Sequence, residues 1–215
     1  DDVRSAVTLG SPVRFEERSF LEKLSRLGLR LKPVLVRVPR NYLLPYTARW
    51  SSFWMPYAPR FLADGLLNRD NVKTGTIRSA ATVAVSKVSP RVLLNFADWI
   101  VNERWTSEDG SIDYRGGLSS VDVPTLVVVG GKDQLCPKRD VVPGYDEMSV
   151  DDKRLLVADD DRFREGYGHV DLVFGRRADE EIYPEVLEWL RDHPMERNTE
   201  GVSSQERGSK EADVT

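Results

Sequence analysis

Two short stretches of this 215-residue chain carry side chains suited to acid–base chemistry. Gly130-Gly131-Lys132-Asp133-Gln134-Leu135-Cys136-Pro137 places an aspartate just after an apolar run and two glycines. Gly166-Tyr167-Gly168-His169-Val170-Asp171-Leu172 places one of the two histidines in a glycine-flanked loop. Each residue also has an ordinary structural use, because aspartates after glycines cap turns or helices and lone histidines are commonly bonded within loops. The pair is worth more than its members. If both follow strands of one sheet, the carboxylate accepts from the imidazole, fixes its tautomer, and leaves the far ring nitrogen as a general base.

Other reactive residue types read as structural. Cys136 lies in the loop of Asp133 and is expected to pack as a small apolar side chain. Asp159-Asp160-Asp161 lacks the alternating ligands and glycine of a calcium loop and is expected to be a solvated turn. His193, beside Pro194, is expected at the exposed end of the last helix, and Asp171 is expected to orient its loop without being the catalytic acid. No metal or cofactor is expected. The single cysteine excludes an internal disulfide and any cysteine-based zinc cluster, and it fits a reducing, cytoplasmic setting.

Hydrophobic patterning supplies the elements that would position the pair. Residues 126–129 (Leu-Val-Val-Val), bounded by Pro124 and Gly130, form the unbroken apolar run of a parallel strand buried on both faces, and this strand should be central. Residues 154–158 give a second strand, with a short helix over 140–148 beginning near Pro143, so that strand, helix and strand form a crossover unit. Residues 3–9 read as a further strand stopped by Gly10-Ser11-Pro12. The last helix spans 178–192, with Ile182, Val186, Leu187 and Leu190 as its apolar face and Pro184 tolerable only in the opening turn. In open α/β sheets, ligands and catalytic groups gather beyond the carboxyl ends of the strands, where Asp133 and His169 would both fall.

Between the first strand and the central one, residues 16–117 show helical spacings broken by Pro33, Pro39, Pro45, Pro56, Pro59 and Pro90. Within that block Trp50, Phe53, Trp54 and Tyr57 recur at i, i+3, i+4 and i+7, one helical stripe that either lines an acyl-chain pocket or joins helices to each other. After Pro194 the chain is polar and without aromatics, which predicts a disordered tail over 194–215.

The composition, 40% hydrophobic and 31% charged, is that of an ordinary globular chain. A net charge of -4 gives no basic footprint for nucleic acid, and no apolar run reaches the roughly 18–20 residues of a membrane span. The expected partner is a small-molecule or lipid-like acyl substrate, not a nucleic acid.

The strand-Gly-Gly-Lys-Asp-x-x-x-Pro segment, the Tyr167-Gly168-His169-Val170-Asp171-Leu172-Val173-Phe174-Gly175 loop and the helix with Tyr183-Pro184-Glu185-Val186-Leu187-Glu188-Trp189-Leu190 resemble the last third of the α/β-hydrolases, acid-lipase-like and bacterial members included. Residues 3–13 (VRSAVTLGSPV) resemble that fold's strand after the nucleophile helix. The resemblance implies an α/β fold: a partial α/β-hydrolase sheet of C-terminal parallel strands with flanking helices, formed by residues 1–15 and 118–193, plus an inserted all-helical cap over 16–117. It implies Asp133 as the acid and His169 as the base.

The family's Gly-x-Ser-x-Gly nucleophile elbow does not occur in residues 1–215, and Ser11, followed by proline and without flanking glycines, is a poor substitute. The nucleophile and the N-terminal half of the fold are therefore expected upstream of Asp1. Three functions follow as expectations: a serine-type esterase or lipase-like acyl hydrolase, inactive without that half; an acyltransferase or polyester-synthase-like enzyme using the same acid and base; or a non-catalytic interaction module whose open sheet edge needs a partner.

Overall fold

The computed structural model describes residues 3–15, 19–35, 37, 67–73, 75, 76, 79 and 90–194. Three parallel strands, β1 (Ala6–Leu9), β2 (Thr125–Gly130) and β3 (Lys153–Ala158), lie in the order β1-β2-β3. The register pairs Val7 with Leu126, and Val128 with both Leu9 and Leu156. The central strand is β2, and all six of its residues are buried. Its unbroken apolar run has a direct cause, since successive side chains enter opposite cores.

On one face Leu126 and Val128 of β2 pack with Leu156, Tyr167, Leu172, Ile182 and Trp189. On the other, Val127 and Val129 pack with Cys136, Val141, Tyr145 and Met148. Complete burial of each of the four β2 aliphatic side chains is worth about 1.5–3 kcal/mol. The strand end that carries Asp133 is consequently anchored from both sides.

The helices among the described residues are α1 (Ser19–Arg30), α2 (Lys32–Leu35), α3 (Pro90–Asn102), α4 (Lys138–Glu147), α5 (Asp171–Phe174), α6 (Ala178–Glu181) and α7 (Tyr183–Asp192). Short 3-10 turns occupy Arg69–Asn71 and Gly116–Ser120. α1 packs against α3. Trp99 of α3 stacks on Trp105 at 4.8 Å between ring centroids, and Trp105 stacks on Phe15, which follows β1, at 5.3 Å. No helix among the described residues is long and apolar enough to cross a membrane.

Three local readings of the sequence need correction. The first strand begins at Ala6, with Val3 largely exposed, because pairing to β2 starts at Thr125. The helix over α4 starts at Lys138, and Pro143 lies inside it; proline there forgoes the bond to the Arg139 carbonyl. The terminal segment divides at Ile182 into α6 and α7, which leaves Pro184 in an opening turn. Its core-facing stripe is Ile182, the partly buried Val186 and Trp189, at i, i+4 and i+7. Leu187 and Leu190, expected inward, are 48% and 45% exposed because the larger Trp189 takes the core-facing position. Residues 195–215, expected as a tail, fall outside the described residues.

Candidate active site

β2 ends at Gly130, and the next turn delivers Asp133 above the sheet edge, where it is only 3% exposed. The Asp133 amide donates to the Gly130 carbonyl at 3.2 Å. Its carboxylate does two jobs at once. Oδ1 accepts from the backbone amides of Leu135 at 2.8 Å and Cys136 at 2.7 Å, which is the turn-capping role an aspartate after glycines commonly fills. Oδ2 lies 2.9 Å from His169 Nδ1. The capping contacts and the contact to the imidazole coexist because a carboxylate has two oxygens.

His169 stands in the loop between β3 and α5. That loop is stitched to the ends of both strands: Tyr167 N donates to the Ala158 carbonyl at 3.0 Å, and Lys132 N to the Tyr167 carbonyl at 2.8 Å. Gly130 is required here, since a Cβ would run into the carbonyls of Tyr167 and Gly168. Tyr167 itself is fully buried and its hydroxyl donates to Glu181 Oε2 at 2.7 Å. Burial, then the neighbouring Glu181 carboxylate, push that phenol well above the usual tyrosine range.

The imidazole is the half-open member of the pair, with 29% of its side chain exposed against none for Asp133. Nδ1 is held by the carboxylate, and among the described residues no hydrogen bond engages Nε2. A dry carboxylate on one nitrogen and access on the other is the arrangement a general base needs. Asp133, Cys136 and His169 have potential ligand atoms within 4.8 Å of one another. Nitrogen and oxygen only 2.9 Å apart share a proton, however, since two ligands on one ion of zinc size sit farther from each other. Cys136 is buried in the core beneath this turn, where it packs with Val127, Val129 and Val141.

Gly10, at the end of β1, is a third contributor that the sequence marked only as a turn. Its φ is +55°, and a Cβ there would lie 2.8 Å from His169 Nδ1 and 3.3 Å from Asp133 Oδ2. The backbone of β1 thus closes the third side of the pair, a task only glycine can perform in this conformation. Ser11 follows it, exposed, with no hydrogen bond to His169.

Asp171 is fully buried and does not touch the imidazole. It accepts instead from Gly168 N at 2.9 Å, from Asn68 N at 3.1 Å and from Asn71 Nδ2 at 3.2 Å. Burial raises its proton affinity and these donors oppose the rise. Sequence reading missed Asn68 and Asn71 entirely. A cavity of about 440 Å³ lies between Leu67, Asn68, Arg69 and Asp70 on one wall and residues 131–134 on the other. Trp50, Phe53, Trp54 and Tyr57 lie outside the described residues. His193 is bonded at both ring nitrogens, Nδ1 to the Trp189 carbonyl at 2.7 Å and Nε2 to Asp152 at 2.8 Å. Asp159 and Asp160 serve as turn and surface partners, Asp159 capping Arg162 N and Asp160 pairing with Lys132.

Comparison with solved structures decides the fold. A thermophilic esterase from Thermogutta terrifontis, with malate bound, superposes with a TM-score of 0.51 at 16% identity, over 87% of this chain and 56% of that one. A monoacylglycerol lipase from Paleococcus ferrophilus superposes with a TM-score of 0.52, also at 16% identity, over 90% of this chain and 61% of that one. The fold resembles that of the α/β-hydrolases. This chain spans less than two thirds of the length of either structure. No family model matches the sequence, and no curated protein matches it.

Proposed function

We propose that this α/β-hydrolase-like chain contributes the base and the orienting acid of a serine-type acyl hydrolase acting on an ester substrate. The observation that supports the reading is the 2.9 Å contact between His169 Nδ1 and buried Asp133 Oδ2, on a side chain 29% exposed and with no partner at Nε2 among the described residues. In the reaction, Nε2 removes the proton from a nucleophilic hydroxyl as its oxygen attacks the ester carbonyl. Asp133 stabilises the imidazolium that forms, and the same proton then passes to the departing alcohol. A water molecule, deprotonated by Nε2 in turn, attacks the acyl carbonyl; the bond to the nucleophile oxygen breaks, that oxygen takes the proton back from Nε2, and the acid is released. Positioned acid–base transfer of this kind contributes about 10²–10⁴-fold to rate.

The nucleophile in this proposal is supplied from outside residues 1–215, which contain no Gly-x-Ser-x-Gly elbow. The aromatic stripe Trp50, Phe53, Trp54 and Tyr57 is proposed to line the acyl side of the substrate, from a cap formed by residues 16–117.

A fluorophosphonate probe tests the reading. The 215-residue chain alone should remain unlabelled. The product of the whole reading frame should be labelled on a serine outside these residues, at a rate that collapses in His169→Ala. Labelling of any residue inside 1–215, or labelling indifferent to His169, overturns the proposal.

A further inference from the structure

The segment 67–73 is about a hundred positions from the histidine loop in sequence, yet it grips that loop at several points. Asn68 N and Asn71 Nδ2 reach opposite oxygens of the Asp171 carboxylate. Asn68 Nδ2 donates to the Gly166 carbonyl at 2.6 Å, and the Asn71 carbonyl accepts from Arg176 N at 2.6 Å. These anchors lie on both sides of His169 in sequence, and none of them meets the imidazole. Asn71 and Asp171 have no solvent exposure, so the bond between them forms in a setting where a lost partner would leave a dry polar group. Gly168 completes the fit: a Cβ on it would fall within 2.9 Å of Asp171 Oδ1, Asn68 N and Leu67 Cα.

We infer that Asp171 is a positioning residue which, with Asn68 and Asn71, clamps the His169 loop against segment 67–73 and so sets the imidazole in register with Asp133. Its catalytic meaning rests on His169 acting as the base; the clamp itself does not. A carboxylate is needed because three donors converge on it, two on one oxygen and one on the other. An amide of the same shape has a single acceptor oxygen and must turn its NH2 group onto at least one donor. The residues of segment 67–73 next to this clamp also wall the cavity beside Asp133. A molecule that displaces Asn68 from inside that cavity therefore moves the base loop through two hydrogen bonds.

The test reads the ring proton of His169 directly, by proton NMR of the 215-residue chain. Wild type should give a downfield Nδ1–H resonance from the His169–Asp133 bond. Asp171→Asn should shift or abolish that resonance, and Asn71→Ala should shift it in the same direction by less. Ile182→Val, which loosens the same core without touching the carboxylate, should leave it in place. Should Asp171→Asn not fold, Asn71→Ala and Asn68→Ala carry the test. A wild-type resonance in these clamp variants, or an equal change in Ile182→Val, overturns the inference. In the whole-frame enzyme, Asp171→Asn should lower kcat by about 100-fold with little change in KM. An inactive wild type whose resonance still responds to Asp171→Asn would sink the hydrolase reading and leave the clamp standing. Intact kcat in Asp171→Asn would sink the clamp.

Discussion

The two histidines of this chain are bonded in opposite ways. His193, at the end of α7, has both nitrogens engaged, one by the Trp189 carbonyl and one by Asp152, while its ring lies 4.3 Å from that of Trp189. His169 has one nitrogen against a buried carboxylate and, among the described residues, no hydrogen bond at the other. Both have an aspartate within hydrogen-bond reach, so an aspartate partner alone does not distinguish a base from a strut. What distinguishes them is the second nitrogen. Two acceptors favour the imidazolium form and tie elements together, whereas a single acceptor leaves a ring nitrogen that can face a reacting group.

The largest expected effect breaks the pair and spares its counterpart. Asp133→Asn puts an amide where Oδ2 stood and turns the ring toward the wrong tautomer, so under the proposed function ester hydrolysis should lose about 10⁴-fold in kcat. Asp152→Asn removes the corresponding contact at His193 and should leave kcat unchanged. Steady-state ester hydrolysis by the two variants separates the roles, and equal losses would show that they do not differ.

Gly10→Ala should come next. A Cβ at φ +55° costs about 1–3 kcal/mol in backbone strain, and this one also meets His169 Nδ1. Denaturant unfolding should register the stability loss, and proton NMR should show the His169 ring displaced. Gly110 also has a positive φ but has open space around its Cβ position, so Gly110→Ala should show the strain without the ring displacement.

The smallest effect concerns His193. The Asp152 carboxylate first, and the Trp189 carbonyl second, raise its proton affinity above that of an ordinary histidine. The stabilisation it contributes is therefore complete below the ordinary histidine pKa and is lost as pH rises through the raised folded value. His193→Gln should flatten the pH dependence of the unfolding midpoint across that window, with kcat untouched.

Much of the scaffold was legible because burial on two faces leaves a distinctive trace. The run 126–129 can be apolar at every position only where cores lie above and below, and the structure has both. The glycines at 130, 131, 166 and 168 marked the loops that the structure sets side by side. What stayed hidden depends on contacts between distant residues. Gly10 reads as a strand stop, and nothing local reveals that its Cα faces a ring 159 positions later. Asn68 and Asn71 are ordinary polar residues in a helical block until Asp171 comes within reach. In α7 the aliphatic spacing favoured Leu187 and Leu190, while the bulk of Trp189 set which side turned inward.

Base chemistry at His169 depends on which ring nitrogen carries the proton when the ring is neutral. Nitrogen-15 NMR of the imidazole in the 215-residue chain reads this directly. The structure predicts a proton on Nδ1, shared toward Asp133, and a bare lone pair on Nε2. A neutral ring protonated on Nε2, with Nδ1 bare, would contradict it.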